Sequence, residues 1–312
     1  LAGLHAVPSL LSIRGCGAAS LDEYLNRARS FRTGGRSPDR AGLQVNLFFE
    51  ASTRTRTSFE VAGRRLGLGV VNLEVGSSSV SKGESLADTV RTIDAMQPDV
   101  VIVRHSRAGA AEVVAANTGA SVINAGDGAR EHPTQAVLDA MTLMDRFRSQ
   151  SLADLSGVSI AVVGDIAHSR VARSNLALWT LAGARVRLVG PRAFLPSGFA
   201  ESGWDVHHEL ESGLTGAQVV YLLRVQLERQ HGQLYPSMGE YHRRFGLTRE
   251  RLDRLAPEAV IMHPGPVNRG VEISSDLLAD ERCLIQDQVA NGVWARMAVL
   301  DSLLDQREKA RR

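Results

Sequence analysis

The sequence predicts an α/β protein of two domains, each a parallel sheet flanked by helices. Short apolar runs alternate with segments of helical period. The alternation stops at a polar stretch, 148–157, and then restarts. With 312 residues the chain also exceeds the size at which single cores usually stop growing, about 250–300 residues.

Before the polar stretch, residues 43–49, 70–75, 99–103 and 120–125 have the apolar character of buried strands. Helical patterns at 20–33, 57–66, 84–97, 108–117 and 134–148 lie between and around them. After it, strands are expected at 158–163, 185–189, 218–223 and 260–262. A last helix over 288–304 carries Val289, Val293, Met297 and Leu300 at helical spacing. Ligands of open parallel sheets bind beyond the C-terminal strand ends, where the polar clusters of both halves fall. A cleft between two domains is therefore the expected place for chemistry.

Composition narrows the class. A 44% hydrophobic and 22% charged content is ordinary for a globular chain, and a formal charge of +2 gives no case for nucleic-acid or membrane binding. Two distant cysteines, Cys16 and Cys283, argue against a disulfide scaffold or a cysteine-rich metal site. The other histidines show no metal-ligand spacing. There is no long apolar span and no cleavable signal pattern, so a cytoplasmic location is expected. The chain starts at Leu1 without a methionine, so a few residues are expected to precede it. Of 36 basic residues only Lys82 and Lys309 are lysine.

The most informative segment is FFEASTRTRTSFE, residues 48–60. It follows a strand-like run and leads into a helix. Free N–H groups and the positive end of the helix dipole favour an anion there. Ser52, Thr53 and Thr55 add hydroxyl donors, and Arg54 adds a planar fork suited to phosphate. The alternative is a plain N-cap with solvated arginines. The run contains no glycine and is not a nucleotide P-loop, which points to a small phosphorylated substrate.

Six further elements carry chemistry. The loop GSSSVSKGE, 76–84, is either a surface loop or a mobile arm that brings the compact charge of Lys82 to an anion. Arg104 ends the apolar strand VVIVR, as a phosphate or carbonyl ligand or as a solvated residue. In EHPTQA, Pro133 suits the first helical position, while His132 and Gln135 lie on one side of the first turn. They can donate to a carbonyl oxygen and bind an amide, or His132 can simply cap the helix. GDIAHSRVAR, 164–173, opens a helix with arginines suited to a carboxylate and lacks a dinucleotide glycine fingerprint. Arg224 and Gln226 share one side of an extended stretch and can grip a carboxylate and an amine. A sixth element, HPGPVNR at 263–269, is either a stiff crossover or a turn that aims carbonyls at a ligand.

FFEASTRTRTSFE resembles the carbamoyl phosphate loop of the transcarbamoylase family, and six motifs in the same order extend the resemblance over essentially the whole chain. The HPGPVNR element resembles the aspartate-type branch, whereas ornithine-type relatives carry a cysteine there. One feature, Ser237-Met238-Gly239, is similar to the ornithine-type loop, but its flanks do not match. The resemblance implies residues 1–147 with 289–312 as a carbamoyl phosphate domain, to which the C-terminal helix returns, and 148–288 as an aspartate domain. It implies that Ser52, Thr53, Arg54, Thr55, Arg104, His132, Gln135, Gly265 and Pro266 bind carbamoyl phosphate. Lys82, Arg170, Arg224 and Gln226 then bind aspartate. Arg54, Thr55, Lys82, Arg104 and His132 act in catalysis, and Ser78 and Lys82 reach in from an adjacent subunit of a homotrimer. Arg173 is expected to be structural.

The implied reaction moves a carbamoyl group from carbamoyl phosphate to the α-amino group of L-aspartate, a step of pyrimidine synthesis. No cofactor and no metal are implied, and regulatory or dihydroorotase-type partner chains stay open. The rival expectations are an ornithine-type carbamoyltransferase, a non-catalytic scaffold of the same fold and, disfavoured by its missing glycines, a nucleotide-dependent dehydrogenase.

Overall fold

The computed structural model describes residues 7–35, 38–74, 85–225 and 237–312. It divides into two compact units: Leu1–Met141 with Ala290–Arg312, and Thr142–Val289. The expected boundaries fell at 147/148 and 288/289. By packing they fall at 141/142 and 289/290, each inside a continuous helix.

In the first unit the order is α1 (Ala18–Arg32), β1 (Leu43–Phe48), α2 (Thr53–Arg65), β2 (Gly69–Glu74), α3 (Leu86–Asp94), β3 (Val100–His105), α4 (Ala110–Ala115), β4 (Ser121–Asp127) and α5 (Pro133–Arg146), which carries the division. The four strands are parallel, in the order β2-β1-β3-β4. Val45, Leu47, Val101, Val103 and Val122 form a core with Val90, Ile93 and Val114 from α3 and α4.

Gln44 and Asn46 alternate with those apolar residues, a pattern that ordinarily marks a strand with one wet face, yet both are fully buried. They form a polar ladder beneath α2. Gln44 Nε2 donates to Asn46 Oδ1 (2.9 Å) and to the Phe59 carbonyl (3.0 Å), and Asn46 Nδ2 donates to Asn72 Oδ1 (2.8 Å). Hydrogen bonding makes the burial tolerable.

The second unit runs β5 (Ser159–Val163), α6 (Arg170–Leu181), β6 (Arg185–Val189), α7 (Gly198–Glu201), β7 (Asp205–His207), α8 (Leu210–Leu214), β8 (Val219–Leu222), α9 (Met238–Phe245), α10 (Arg249–Asp253) and β9 (Val260–Met262), ending at the start of α11 (Ile285–Arg311). Its sheet is also parallel, in the order β7-β6-β5-β8-β9. The edge strand β7 was not expected; Val206 is its single apolar residue, between Asp205 and His207, so no apolar run marks it.

Most of α11 packs with the first unit. Asp301 pairs with Arg27 and with Arg40 (2.7 Å), Asn291 accepts from Arg32 (3.0 Å), and Arg307 donates to the Gly119 carbonyl (2.6 Å). Among the described residues no helix is long and apolar enough to cross a membrane. The two cysteines are free thiols.

Asn46→Ala leaves one Gln44 bond unmade in the interior and removes the bond to the exposed Asn72. It is expected to cost about 1–3 kcal/mol, read as a lower urea midpoint at unchanged slope.

Candidate active site

Both sheets are parallel, so each strand hands over to a helix or loop at the same edge. In the first unit that edge gathers most of the residues singled out above. The helix after β1 starts at Thr53, four residues earlier than the pattern from 57 suggested. Thr53, Arg54 and Thr55 are therefore its first turn, not a loop before it. Ser52 is the N-cap, with extended backbone (φ −161°) and no side-chain cap bond, while its carbonyl accepts from Arg56 N (3.1 Å). Its hydroxyl is not spent on the helix, and the first-turn N–H groups have no partner within a helix by geometry. Thr53 and Arg54 are exposed, Ser52 half-buried and Thr55 buried.

Arg104, the penultimate residue of β3, lies opposite Phe48 of β1, and its carbonyl accepts from Phe49 N (2.9 Å). Its guanidinium donates to the Ala125 carbonyl (3.2 Å) and lies 3.4 Å from Glu50 Oε2. It is thus held at the strand mouth beside the start of α2.

The turn between β4 and α5 is fixed by two carboxylates. Asp127 accepts from Asn124 Nδ2 (2.8 Å), Gly109 N (2.7 Å) and Glu131 N (3.2 Å). Glu131 accepts from Ser12 Oγ (2.5 Å) and Ile13 N (2.7 Å), tying the turn to the N-terminal segment. His132 follows, buried, and its carbonyl accepts from Gln135 N (3.0 Å). The helix starts at Pro133 as expected. Gln135 is buried and donates Nε2 to Asp139 Oδ1 (3.0 Å).

The second unit repeats the arrangement. Gly164 ends β5 at φ +127°, where a Cβ would press the Leu223 carbonyl at 3.0 Å, so glycine is required. Ser169 caps α6 by accepting from Ala172 N (3.1 Å), and Arg170, the first helical residue, is buried. Arg173 Nη2 donates to the Ala167 carbonyl (3.2 Å). His168 and the fully buried Asp165 pair at 2.7 Å.

Arg224 lies just beyond β8, half-buried. Beyond β9, Gly265 N donates to His263 Nδ1 (2.8 Å), and Gly265–Pro266 is a cis peptide. The two segments are joined by Glu272. It accepts from Val225 N (2.9 Å), Asn268 N (2.8 Å) and Asn268 Nδ2 (2.8 Å). Burial pushes its carboxyl upward, against hydrogen bonds that favour the charge. In the ornithine-like Ser237-Met238-Gly239 element, the serine is the N-cap of α9 and accepts from Glu240 N (3.1 Å).

Ser78, Lys82 and Gln226 lie outside the described residues. The rest fall into two groups, one per unit: Ser52 to Thr55, Arg104, His132 and Gln135 in the first, and Arg170, Arg224, Gly265 and Pro266 in the second. Sequence reading passed over the acids that hold them. Only Asp139, one helical turn after Gln135, had a local signal. Among the described residues no cluster of three or more His, Cys, Asp or Glu is placed to hold a metal ion. A cavity of about 1050 Å³ in the second unit lies at the other sheet edge, lined by Ser159, Arg185, Arg187 and Trp204. Arg187 is spent there on the Gly213 and Thr215 carbonyls and on Ser159.

Two parallel-sheet units with cationic and hydroxyl side chains at the strand mouths define an α/β enzyme class acting on small anions. The chain belongs to the aspartate/ornithine carbamoyltransferase family: the carbamoyl-P binding domain matches residues 9–145 and the Asp/Orn binding domain residues 156–303. It is 52% identical over 301 residues to an aspartate carbamoyltransferase catalytic subunit of Rhodospirillum rubrum, covering 94% of this chain and 93% of that one. The corresponding subunit of a Chelativorans species is 50% identical over 306 residues, covering 96% and 94%. Aspartate transcarbamoylase from Trypanosoma cruzi, in complex with N-(phosphonacetyl)-L-aspartic acid, superposes with a TM-score of 0.82 at 32% identity, covering 94% of this chain and 95% of that one. The same protein has been solved with carbamoyl phosphate and aspartate (TM-score 0.81, 31% identity, 94% and 96% covered).

Glu272→Gln replaces an acceptor-only group with one that cannot accept all three bonds. Denaturation should show a loss of about 1–3 kcal/mol, the cost of a buried unmade bond.

Proposed function

We propose that the chain transfers the carbamoyl group of carbamoyl phosphate to the α-amino group of L-aspartate, giving N-carbamoyl-L-aspartate and phosphate in pyrimidine synthesis. One observation carries this reading. The first turn of α2 keeps Ser52's hydroxyl off the helix, at a sheet edge that also holds Arg104, His132 and Gln135. That is a phosphate cradle beside a carbonyl-and-amide site. The near-complete coverage by relatives named aspartate carbamoyltransferase supports aspartate as acceptor, as does the use of Ser237 as a helix cap.

In this reading Ser52, Thr53, Arg54 and Thr55 hold the phosphate, while Gln135 and the carbonyls of Gly265 and Pro266 hold the carbamoyl amide. Arg170, Arg224 and Lys82 hold the two carboxylates of aspartate, and Gln226, beside Arg224, helps to hold its α-amino group. The neutral amine attacks the carbamoyl carbon, and negative charge grows on the carbonyl oxygen. Thr55, Arg104 and His132 are the donors for that charge. The C–O bond to phosphate then breaks, and a phosphate oxygen takes the amine proton. Phosphate is a good leaving group, so positioning and electrostatics suffice. Ser78 and Lys82 act from the neighbouring subunit of a homotrimer, and the enzyme works in the cytoplasm.

Purified chain should form carbamoyl aspartate from carbamoyl phosphate with aspartate and not with ornithine; turnover with ornithine alone would reverse the acceptor assignment. Arg54→Ala should lower turnover by about 10²–10³, the usual loss for one transition-state donor, with the fold intact by circular dichroism. Mixing inactive Arg54→Ala and Lys82→Ala chains should restore part of the activity, because some hybrid sites then carry neither change. Mixtures that stay inactive would place each site within one subunit.

A further inference from the structure

Behind the carbamoyl end of the first unit's site lies a buried charged assembly that the mechanism above leaves unused. Asp139 is fully buried on α5, one turn beyond Gln135, and accepts from its Nε2 at 3.0 Å. Arg296 of α11 is also buried. Its Nη1 donates to Ser58 Oγ (3.0 Å) and to the Gly292 carbonyl (2.9 Å), and its guanidinium carbon lies 5.1 Å from the centre of the Phe59 ring. Ser58 and Phe59 belong to α2, about one turn beyond Arg54 and Thr55. Burial pushes the guanidinium down to about 10, opposed by the charge of Asp139, so it stays cationic at neutral pH. Gly292 makes the fold-back possible, since a Cβ there would meet Arg296 Nη1 at 2.6 Å.

The chemistry of the amide gives this assembly a purpose. Glutamine presents either a donor or an acceptor, and the two ends are nearly equal in shape. A carbamoyl NH₂ donates, so it needs the oxygen. A carboxylate accepts only, so Asp139 selects the Nε2 end of Gln135 and leaves Oε1 for an N–H donor. A nearby cation helps to keep a buried carboxylate ionised, and the charge of Asp139 opposes the lowering of the Arg296 guanidinium by burial, an attraction that acts equally on the carboxylate.

We propose that Asp139 and Arg296 are positioning residues for the carbamoyl group: Asp139 fixes Gln135 with its oxygen toward the ligand, and Arg296 holds that charge while anchoring α2. The proposal rests on the carbamoyl-transfer reading and adds the source of its preference for a carbamoyl over an acyl donor.

The test reads binding, not turnover. Calorimetry compares carbamoyl phosphate with acetyl phosphate, in which a methyl replaces the amino group, on wild type and Asp139→Asn. Asparagine can offer Gln135 either end, so the amide is free to turn. Wild type should prefer carbamoyl phosphate. Asp139→Asn should lose about tenfold of that preference, the worth of one good hydrogen bond, with acetyl phosphate affinity nearly unchanged. Arg296→Met should lose the preference likewise and Arg296→Lys should retain most of it; this pair serves where Asp139→Asn does not fold. Equal loss for both ligands would mark a merely structural role and overturn the proposal, as would unchanged preference. A wild type that binds neither acyl phosphate would instead overturn the carbamoyl-transfer reading, and this proposal with it.

Discussion

An anion site at a helix N-terminus, as proposed for α2, works only if nearby carboxylates are prevented from cancelling its field, and the acids of the first unit are arranged in keeping with that constraint. Glu50, Asp127, Glu131 and Asp139 lie on the segments that would build the site. Glu50 faces Arg104 at 3.4 Å, and Asp127 is spent on Gly109 N and Asn124. Glu131 is spent on Ile13 N and Ser12, and Asp139 on Gln135. Asp127 and Glu131 stiffen the turn before α5, and Asp139 holds Gln135 within that helix. The exposed first turn of α2 keeps its positive character. The second unit applies the same device with Glu272, whose two oxygens join the exit of β8 to the loop after β9.

Such acids carry a cost, because burial disfavours their charge, as the upward shift of Glu272 records. What they supply is geometry. A carboxylate can accept two or three bonds from backbone N–H groups that no regular element would satisfy, and charged acceptors make the stronger bonds. A hydroxyl or amide in the same place would both donate and accept, and would fix the turn less sharply. The Gly164 turn adds the other means of fixing a strand mouth, a backbone conformation that excludes a side chain.

The legible parts of the chain are those whose signal is local. Strands Arg185–Val189 and Val260–Met262 match their apolar runs, and α5 begins at the proline that marks it. The early start of α2 was hidden because threonine and arginine give no apolar period in the first turn. The burial of Gln44 and Asn46 was hidden because alternation alone does not tell a wet face from a hydrogen-bonded one. Among the proposed site residues, the donors are singled out by type, since few side chains suit phosphate. Their supports were not readable. Glu131 meets Ile13 from 118 positions away, and Arg296 meets Ser58 from 238.

The preference for arginine over lysine has a use in this architecture. Helix ends and the loops that enter strands leave carbonyls to be satisfied, and a planar fork can take two at once. Arg251 donates to the Gly246 and Arg243 carbonyls, and Arg307 to those of Asp99 and Gly119. Lysine, with three rotatable donors on a single point charge, would hold such positions less firmly. Its virtue is the converse: an ammonium on a flexible stem can follow a carboxylate without a matching plane. The exposed Lys309 uses it on the half-buried Asp305 at 3.2 Å. For a residue whose proposed partner is a diffusing amino acid rather than a fixed carbonyl, the ammonium of Lys82 is the better chemistry, and arginine the better chemistry almost everywhere else in the chain.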